Sequence, residues 1–283
     1  MARLMLLALA FCALLHSEAL RIVSTAPSST ETLYALGLGD RVAGVSQYCH
    51  YPPEARRKTN VGSYLRPNAE TVLALRPDLV IVQKVPSSPK QVLARLGLNV
   101  LEVEHGNLAT TLETMERIAA AAGVPERGRS LRQRIENELR RIADVTKTLP
   151  RRDVLFVVGR EPGSLRGLIA VGSGSYLNEL FSIAGARNAF EDAATPYPKI
   201  SLEEVLSRNP DVILDMGDMA DTAQVTPAQM RAVEGLWARQ PALRAVRERR
   251  VHAIASDIYV VPGPRVVDAA LSFARMIHPE AGL

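Results

Sequence analysis

One long helical pattern near the middle of the chain, residues 126–148, limits the fold more than any other stretch. Leu131, Ile135, Leu139, Ile142 and Val145 recur at spacings of four and three, which keeps one face apolar. Arg and Glu crowd the remaining faces, with Arg132 and Glu136, and Glu136 and Arg140, placed to pair one turn apart. Pro125 stands at a helix start and Pro150 closes the segment. Roughly twenty residues at 1.5 Å each make a rod of about 30–35 Å, the diameter of a small domain. A rod of that length in mid-chain predicts a strut between two lobes.

The flanking sequence supports that division. RIVST, RVAGVS, LVIVQ and VLEVEH read as strands, separated by the helical patterns STETLYALGL, NAETVLALRPD, KQVLARLGLN and LATTLETMERIAAAAG. Ser29 or Thr30 is the expected cap of the first of these helices. LVIVQ is apolar without alternation, as in a strand covered on both faces of a parallel sheet. After the strut the alternation resumes with DVLFVVG, GSYLNELFSIAG, SLEEVLSRNPD, VILDM, RVHAIAS and PRVVDAALSFARMIH. NAETVLALRPDLVIV and SLEEVLSRNPDVILD, one on each side of the strut, align without a gap, pairing Glu70 with Glu203, Leu73 with Leu206 and Asp78 with Asp211. The expected fold is α/β: two doubly wound, Rossmann-like lobes at 20–124 and 150–283, joined by an interlobe helix at 125–149.

A chain of 283 residues accommodates two such lobes. Aromatics are only 5% and no basic run is interleaved with them, which argues against a nucleic-acid groove. At the N-terminus Arg3, an apolar run over residues 4–15 and then Ser17-Glu18-Ala19 have the form of a signal peptide cut after Ala19. The run is shorter than the about 20 residues a membrane span needs. The mature protein is therefore expected outside the cytoplasm, with Cys49 as its single cysteine and no disulfide within the chain.

In open α/β sheets ligands lie beyond the carboxyl ends of the strands, so the loops facing an interlobe cleft carry the candidate chemistry. Those loops hold Cys49, His50, Tyr51, Tyr64, Gln83, His105, Arg160, Tyr197, Asp257 and Tyr259. Tyrosine offers a flat apolar face with a polar tip and suits a large, partly polar ring ligand. Catalytic patterns are absent: no G-x-S-x-G, H-E-x-x-H or C-x-x-C occurs, and GSGSY at 172–176 reads as a turn and helix cap before a phosphate loop. His50, Glu104, His105 and Asp257 are the one set that could converge on a metal, but no resident metal is expected. His252 and His278 are expected to point away from the cleft, and Trp237 falls on a surface-type helix. Glu204 fills the capping-box position after Ser201 and so leaves Glu203 free to point outward.

STAPSSTETLYALGLGDRVAGVSQYCHYPPEA, NAETVLALRPDLVI, the long helix and SLEEVLSRNPDVIL together resemble the substrate-binding proteins of ATP-binding cassette importers. The resemblance is to the group whose lobes are joined by one rigid helix, the receptors for cobalamin, ferric siderophores and haem, and is nearest to the cobalamin receptors. It implies a periplasmic, monomeric carrier with no cofactor, whose cargo is a corrinoid or another metal-chelate ring. It further implies that Tyr51, Tyr64 and Tyr197 pack on the ligand and that Glu70 and Glu203 dock a dimeric permease in the inner membrane; Gln83, Asp257, Tyr259 and His50, on the same cleft loops, are the further ligand-binding candidates. Cys49 or His50 would be the candidates to reach the metal of such a ligand. Ferric siderophore and haem are the alternative cargoes. An exported two-lobe enzyme, such as a chelatase or glycosyltransferase, is the alternative of another class.

Overall fold

The computed structural model describes residues 20–217 and 226–283; the leader read at residues 1–19 lies outside them. Before the long helix come β1 (Ile22–Ser24), α1 (Pro27–Ala35), β2 (Val42–Val45), β3 (Thr59–Asn60), α2 (Ala69–Ala74), β4 (Leu79–Gln83), α3 (Lys90–Arg95), β5 (Val100–Val103) and α4 (Leu108–Ala121). The five strands pair in parallel in the order β3-β2-β1-β4-β5. Strand order reverses between β1 and β4, so the crevice for a ligand opens beyond Ser24 and Gln83. Helix α1 starts directly at Pro27, with Ala26 at the cap and no side-chain cap bond. Neither Ser29 nor Thr30 caps it, because proline's fixed φ already begins the turn and both residues are buried inside it.

The long helix, α5, spans Pro125–Thr146. Its 22 residues give about 33 Å. It is not a free-standing rod. Leu131, Ile135, Leu139 and Ile142 belong to one apolar cluster that runs from Ile22 and Met115 on one side to Phe156 and Phe273 on the other. Val145 is exposed, and Thr146 takes the inward position instead, its hydroxyl donating to the Ile183 carbonyl at 2.7 Å. Near the other end Gly128 faces α4: a Cβ there would stand 2.5 Å from the Ala119 methyl. Arg132 pairs with Glu136 at 2.8 Å, as its spacing predicts, and also reaches Glu116 of α4 at 2.9 Å. Arg140 turns to Asn137 and leaves Glu136 to Arg132.

The second lobe contains β6 (Arg152–Gly159), β7 (Leu168–Ala170), α6 (Tyr176–Ile183), β8 (Ala186–Asn188), β9 (Lys199–Ile200), α7 (Leu202–Arg208), β10 (Val212–Asp215), α8 (Pro227–Trp237), α9 (Arg244–Arg247), β11 (Val251–Ala253) and α10 (Val266–Ile277). Its sheet runs β11-β10-β6-β7-β9, with β8 also on β6. The β10–β6 and β10–β11 pairs are parallel; β7 and β9 are antiparallel additions, too short to give a sequence signal of their own. Helix α8 is superficial, as its composition suggests, but Trp237 is the residue it buries, with Nε1 donating to Asp215 Oδ2 at 2.6 Å.

The internal repeat extends to backbone detail. Arg76 and Asn209 end the two matched helices at φ 47° and 46°. Two residues later, Asp78 accepts a backbone hydrogen bond from Arg21 at 2.7 Å and Asp211 accepts one from Asp153 at 2.9 Å. Each aspartate thus ties its helix-strand unit to the entry of the central strand in its own sheet.

Candidate ligand cleft

Between the carboxyl ends of the two sheets lies a cavity of about 280 Å³. From the first lobe it takes Gln83, at the end of β4, and His105 and Gly106, after β5. The second lobe supplies Ser175 and Tyr176 at the start of α6, then Pro196, Tyr197, Val260 and Pro262. Ser175 caps α6, accepting from the Leu177 amide at 3.2 Å, and donates to the Tyr197 hydroxyl at 3.3 Å. The GSGSY segment is therefore occupied as a turn and cap.

His105 forms part of the floor. Its Nε2 is 2.8 Å from Ser28 Oγ, and among the described residues its Nδ1 has no hydrogen-bond partner. Burial lowers its pKa to about 4, so the ring is neutral at physiological pH.

The lobes also touch directly. The Tyr176 amide donates to the Gly106 carbonyl at 3.0 Å, and Glu179 of α6 accepts from the Leu108 amide at the start of α4 at 2.8 Å. Arg265 before α10 also reaches across to Glu31 of α1, with Nε 2.9 Å from Oε2 and a second bond from Nη2 to Oε1. Its Nη1 is 2.9 Å from Asp257. Gly263 lets this segment pass close to α1, since a Cβ there would lie 3.3 Å from the Glu31 carboxylate. Desolvation raises the Glu31 pKa, and Arg265 offsets that only in part. The guanidinium stands 4.0 Å above the Tyr51 ring, which is 44% exposed.

Of the residues expected at the ligand, Gln83 and Tyr197 line the cavity, whereas Tyr51 does not line it and lies instead against Arg265. Tyr64 packs edge-on against Tyr48 with ring centres 5.6 Å apart, outside the cavity lining. Tyr48 lies in the same turn as Tyr51 and is likewise 44% exposed. Tyr259 is a correction: it is a core residue, stacked on Phe273 at 5.2 Å with its hydroxyl on Ser272 at 2.7 Å. It ends a 3-10 turn, Asp257–Tyr259, that carries the ring inward, a displacement no loop pattern reveals. Asp257 is spoken for by Arg265, and His50 is exposed on the Tyr51 turn without lining the cavity.

Cys49 cannot reach a ligand metal, because it is buried with Sγ near Thr30 Oγ1 at 3.2 Å and Ser46 Oγ at 3.4 Å. Burial pushes its thiol pKa up. Arg160 is likewise withdrawn, fixed on buried Asp215 at 3.0 Å. No group of three or more metal-ligating side chains forms among the described residues; Glu104 turns away to Lys84 at 2.7 Å. His278 is buried against the Gly185 carbonyl and His252 lies within β11.

Glu70 and Glu203 are exposed in the first turns of α2 and α7, and neither has an ion-pair or hydrogen-bond partner among the described residues. Asn68 caps α2, and the Ser201–Glu204 capping box caps α7, which leaves both carboxylates free.

The sequence profile of the periplasmic binding protein family matches residues 22–257. The chain belongs to the periplasmic binding protein family. A vitamin B12-binding protein of Vibrio cholerae is 32% identical to it over 88% of this chain and 86% of the relative. Among solved structures, the periplasmic vitamin B12 binding protein BtuF of Vibrio cholerae superposes with a TM-score of 0.73 at 28% identity, covering 93% of this chain and 97% of that one. The periplasmic heme-binding protein RhuT of Roseiflexus sp. RS-1, in apo form, superposes with a TM-score of 0.75 at 27% identity, covering 93% and 99%. This periplasmic binding protein thus has the two-lobe fold of its relatives. Among the described residues no helix is long and apolar enough to cross a membrane.

Proposed function

We propose that this chain captures a corrinoid in the interlobe cleft and delivers it to the permease of an ATP-binding cassette importer. The carrying observation is a pair of open tyrosines on opposite lobes: Tyr197, 47% exposed, beside the polar floor made by Gln83, His105 and Ser175, and Tyr51, 44% exposed, on the Arg265 clasp that joins the lobes. Two flat faces with polar tips around such a floor suit a wide ring with amide-bearing edges. The floor cavity holds only part of such a ligand, so most of the ring would lie between the tyrosines, open to solvent. The similarity to vitamin B12-binding relatives supports the same reading. In this reading the metal-chelate ring is cargo, the chain is a carrier without catalytic residues, it is exported through the leader at residues 1–19, and it works as a monomer with lobes divided at α5.

Glu70 and Glu203 are assigned as the docking carboxylates, one per lobe, each free of internal partners. Calorimetric titration of the purified protein with cyanocobalamin tests the ligand. Binding should be lost roughly tenfold for each of Tyr51→Ala and Tyr197→Ala, in the range of aromatic anchors at interfaces. No binding at micromolar cyanocobalamin refutes the reading. Haem is the second reading, favoured by the equally close superposition on the heme-binding RhuT, and a Soret shift on titration would identify it.

A further inference from the structure

The GSGSY segment, residues 172–176, does more than turn the chain into α6: it holds the loop that carries Tyr197. Strands β7 and β9 pair antiparallel, Leu168 with Ile200 and Ile169 with Lys199. The same register continues beyond both strands. The Ala170 amide donates to the Pro198 carbonyl at 3.0 Å, and the Gly172 amide to the Pro196 carbonyl at 2.8 Å. Each of these rungs carries a single bond where an antiparallel pair ordinarily exchanges two, because proline has no amide hydrogen to return. Tyr197 stands between the two prolines and, in this register, opposite the fully buried Val171. A slip of one residue in the pairing would turn the tyrosine to the other face.

Gly172 lets the loop come this close. A Cβ there would stand 2.3 Å from the Thr195 carbonyl oxygen, a backbone atom that cannot swing aside, and 2.9 Å from the Pro198 ring. The Ser173 hydroxyl adds a bond to the Ala193 carbonyl at 2.5 Å. Ser175, 2% exposed, holds the tip of the tyrosine: its oxygen accepts from the Leu177 amide at 3.2 Å and its hydrogen goes to the Tyr197 oxygen at 3.3 Å. A phenol is donor and acceptor at once. With its oxygen accepting from Ser175, the Tyr197 hydrogen has no partner among the described residues, and the side chain lies in the lining of the cleft cavity. We infer that Gly172 and Ser175 are positioning residues for Tyr197. Gly172 sets the register that turns the ring to the cleft. Ser175 orients the hydroxyl so that its hydrogen is left for an acceptor oxygen on the edge of the cargo, an amide carbonyl or a carboxylate. The inference rests on the ligand role proposed for Tyr197 and adds to it a directed donor, so that the ring selects by polarity as well as by its apolar face.

The test is calorimetric titration of the purified protein and its variants with cyanocobalamin, which offers amide carbonyls, and with hemin, which offers carboxylates. Gly172→Ala should weaken binding roughly tenfold, as Tyr197→Ala does, and the two changes together should weaken it no further than Tyr197→Ala alone. Ser175→Asp keeps a capping side chain on α6, so the melting temperature should hold. A carboxylate only accepts, however, and takes the tyrosine hydrogen for itself. That variant should bind roughly fivefold more weakly, the loss of one hydrogen bond, and the loss should vanish beside Tyr197→Phe, which has no hydrogen to take. A Ser175→Asp loss that persists beside Tyr197→Phe comes from the added charge and overturns the donor role. Native affinity in a folded Gly172→Ala, with Tyr197→Ala impaired, overturns the positioning role of Gly172; if Gly172→Ala does not fold, the Ser175→Asp cycle decides. Native affinity in Tyr197→Ala overturns the ligand role of Tyr197 itself. The pattern appearing with cyanocobalamin or with hemin identifies the acceptor, and its appearance with neither overturns the inference.

Discussion

Replacing Arg265 by methionine should cost this protein more than any other single change at the cleft. Glu31 is 3% exposed, and Arg265 supplies both hydrogen bonds to its carboxylate from the opposite lobe. Even with that partner the Glu31 pKa is raised, because desolvation outweighs the guanidinium and because Asp257 and Asp268 add their own negative fields. Removing the guanidinium leaves a buried charge uncompensated, a loss of about 3–5 kcal/mol. For a chain of this length that corresponds to roughly 6–20 °C in melting temperature. The effect should depend on pH in a definite direction. A carboxyl whose folded pKa lies above its unfolded value stabilises the fold while protonated, and that stabilisation is lost as pH rises through the folded pKa. In Arg265→Met the folded pKa of Glu31 rises further, so the deficit against the native protein should shrink between pH 7.5 and pH 5. Adding Glu31→Gln should recover most of the loss at pH 7.5. Thermal unfolding of the four proteins of this cycle at both pH values is the assay. A deficit below about 1 kcal/mol, or one unchanged by acid, would show that the clasp carries no buried charge. The same variant releases the support under Tyr51, so its cyanocobalamin affinity should fall even at temperatures where it stays folded.

Two further changes probe the floor and the long helix. His105 is held neutral by burial, with a pKa of about 4, so its contribution to stability is complete above the ordinary histidine pKa of 6.5 and is lost as pH falls towards 4. Unfolding free energy measured over that interval should fall by about 3 kcal/mol more in the native protein than in His105→Gln, and parallel curves would refute the assignment. In α5, Gly128→Leu forces side chain into a space where even a Cβ would meet the Ala119 methyl at 2.5 Å. Overpacking of this kind costs about 1–3 kcal/mol, read as a lower denaturant midpoint, whereas an unchanged midpoint would mean that α4 and α5 can part freely.

The two-lobe plan was legible because it rests on periodicity. The α5 stripe, the buried runs of β4 and β10, and the matched Pro-Asp turns are local patterns with local causes. The errors fall where a residue's direction is decided by distant packing. Val145 and Thr146 both satisfy a helical stripe, and only the Ile183 carbonyl decides which of them turns inward. Tyr259 and Tyr51 sit in equally polar loops, yet Phe273 claims the first and leaves the second open. Arg265 had no signal at all in the sequence. Its partner Glu31 is separated from it by 234 residues, and a helix-entry arginine beside a proline looks like surface until the two lobes are brought together.

That clasp changes how the long helix should be understood. A strut alone could fix the separation of Glu70 and Glu203 only if it were rigidly held at both ends. Helix α5 is held at both: Gly128 and Arg132 bind it to α4, and Thr146 binds it to the end of α6. On the cleft side the lobes are joined again by Tyr176 to Gly106, Glu179 to Leu108 and Arg265 to Glu31. Attachments on the helix side and on the cleft side together resist hinge opening as well as twisting, which neither set would do alone. A ligand held as proposed, between Tyr51 and Tyr197, would therefore meet a cleft whose width is already set, and the carboxylates Glu70 and Glu203 would keep nearly the same spacing whether it is empty or full. Selection between loaded and empty carrier would then have to come from the Tyr51 turn, whose ring, proposed to face the ligand, also stacks on Arg265 of the interlobe clasp.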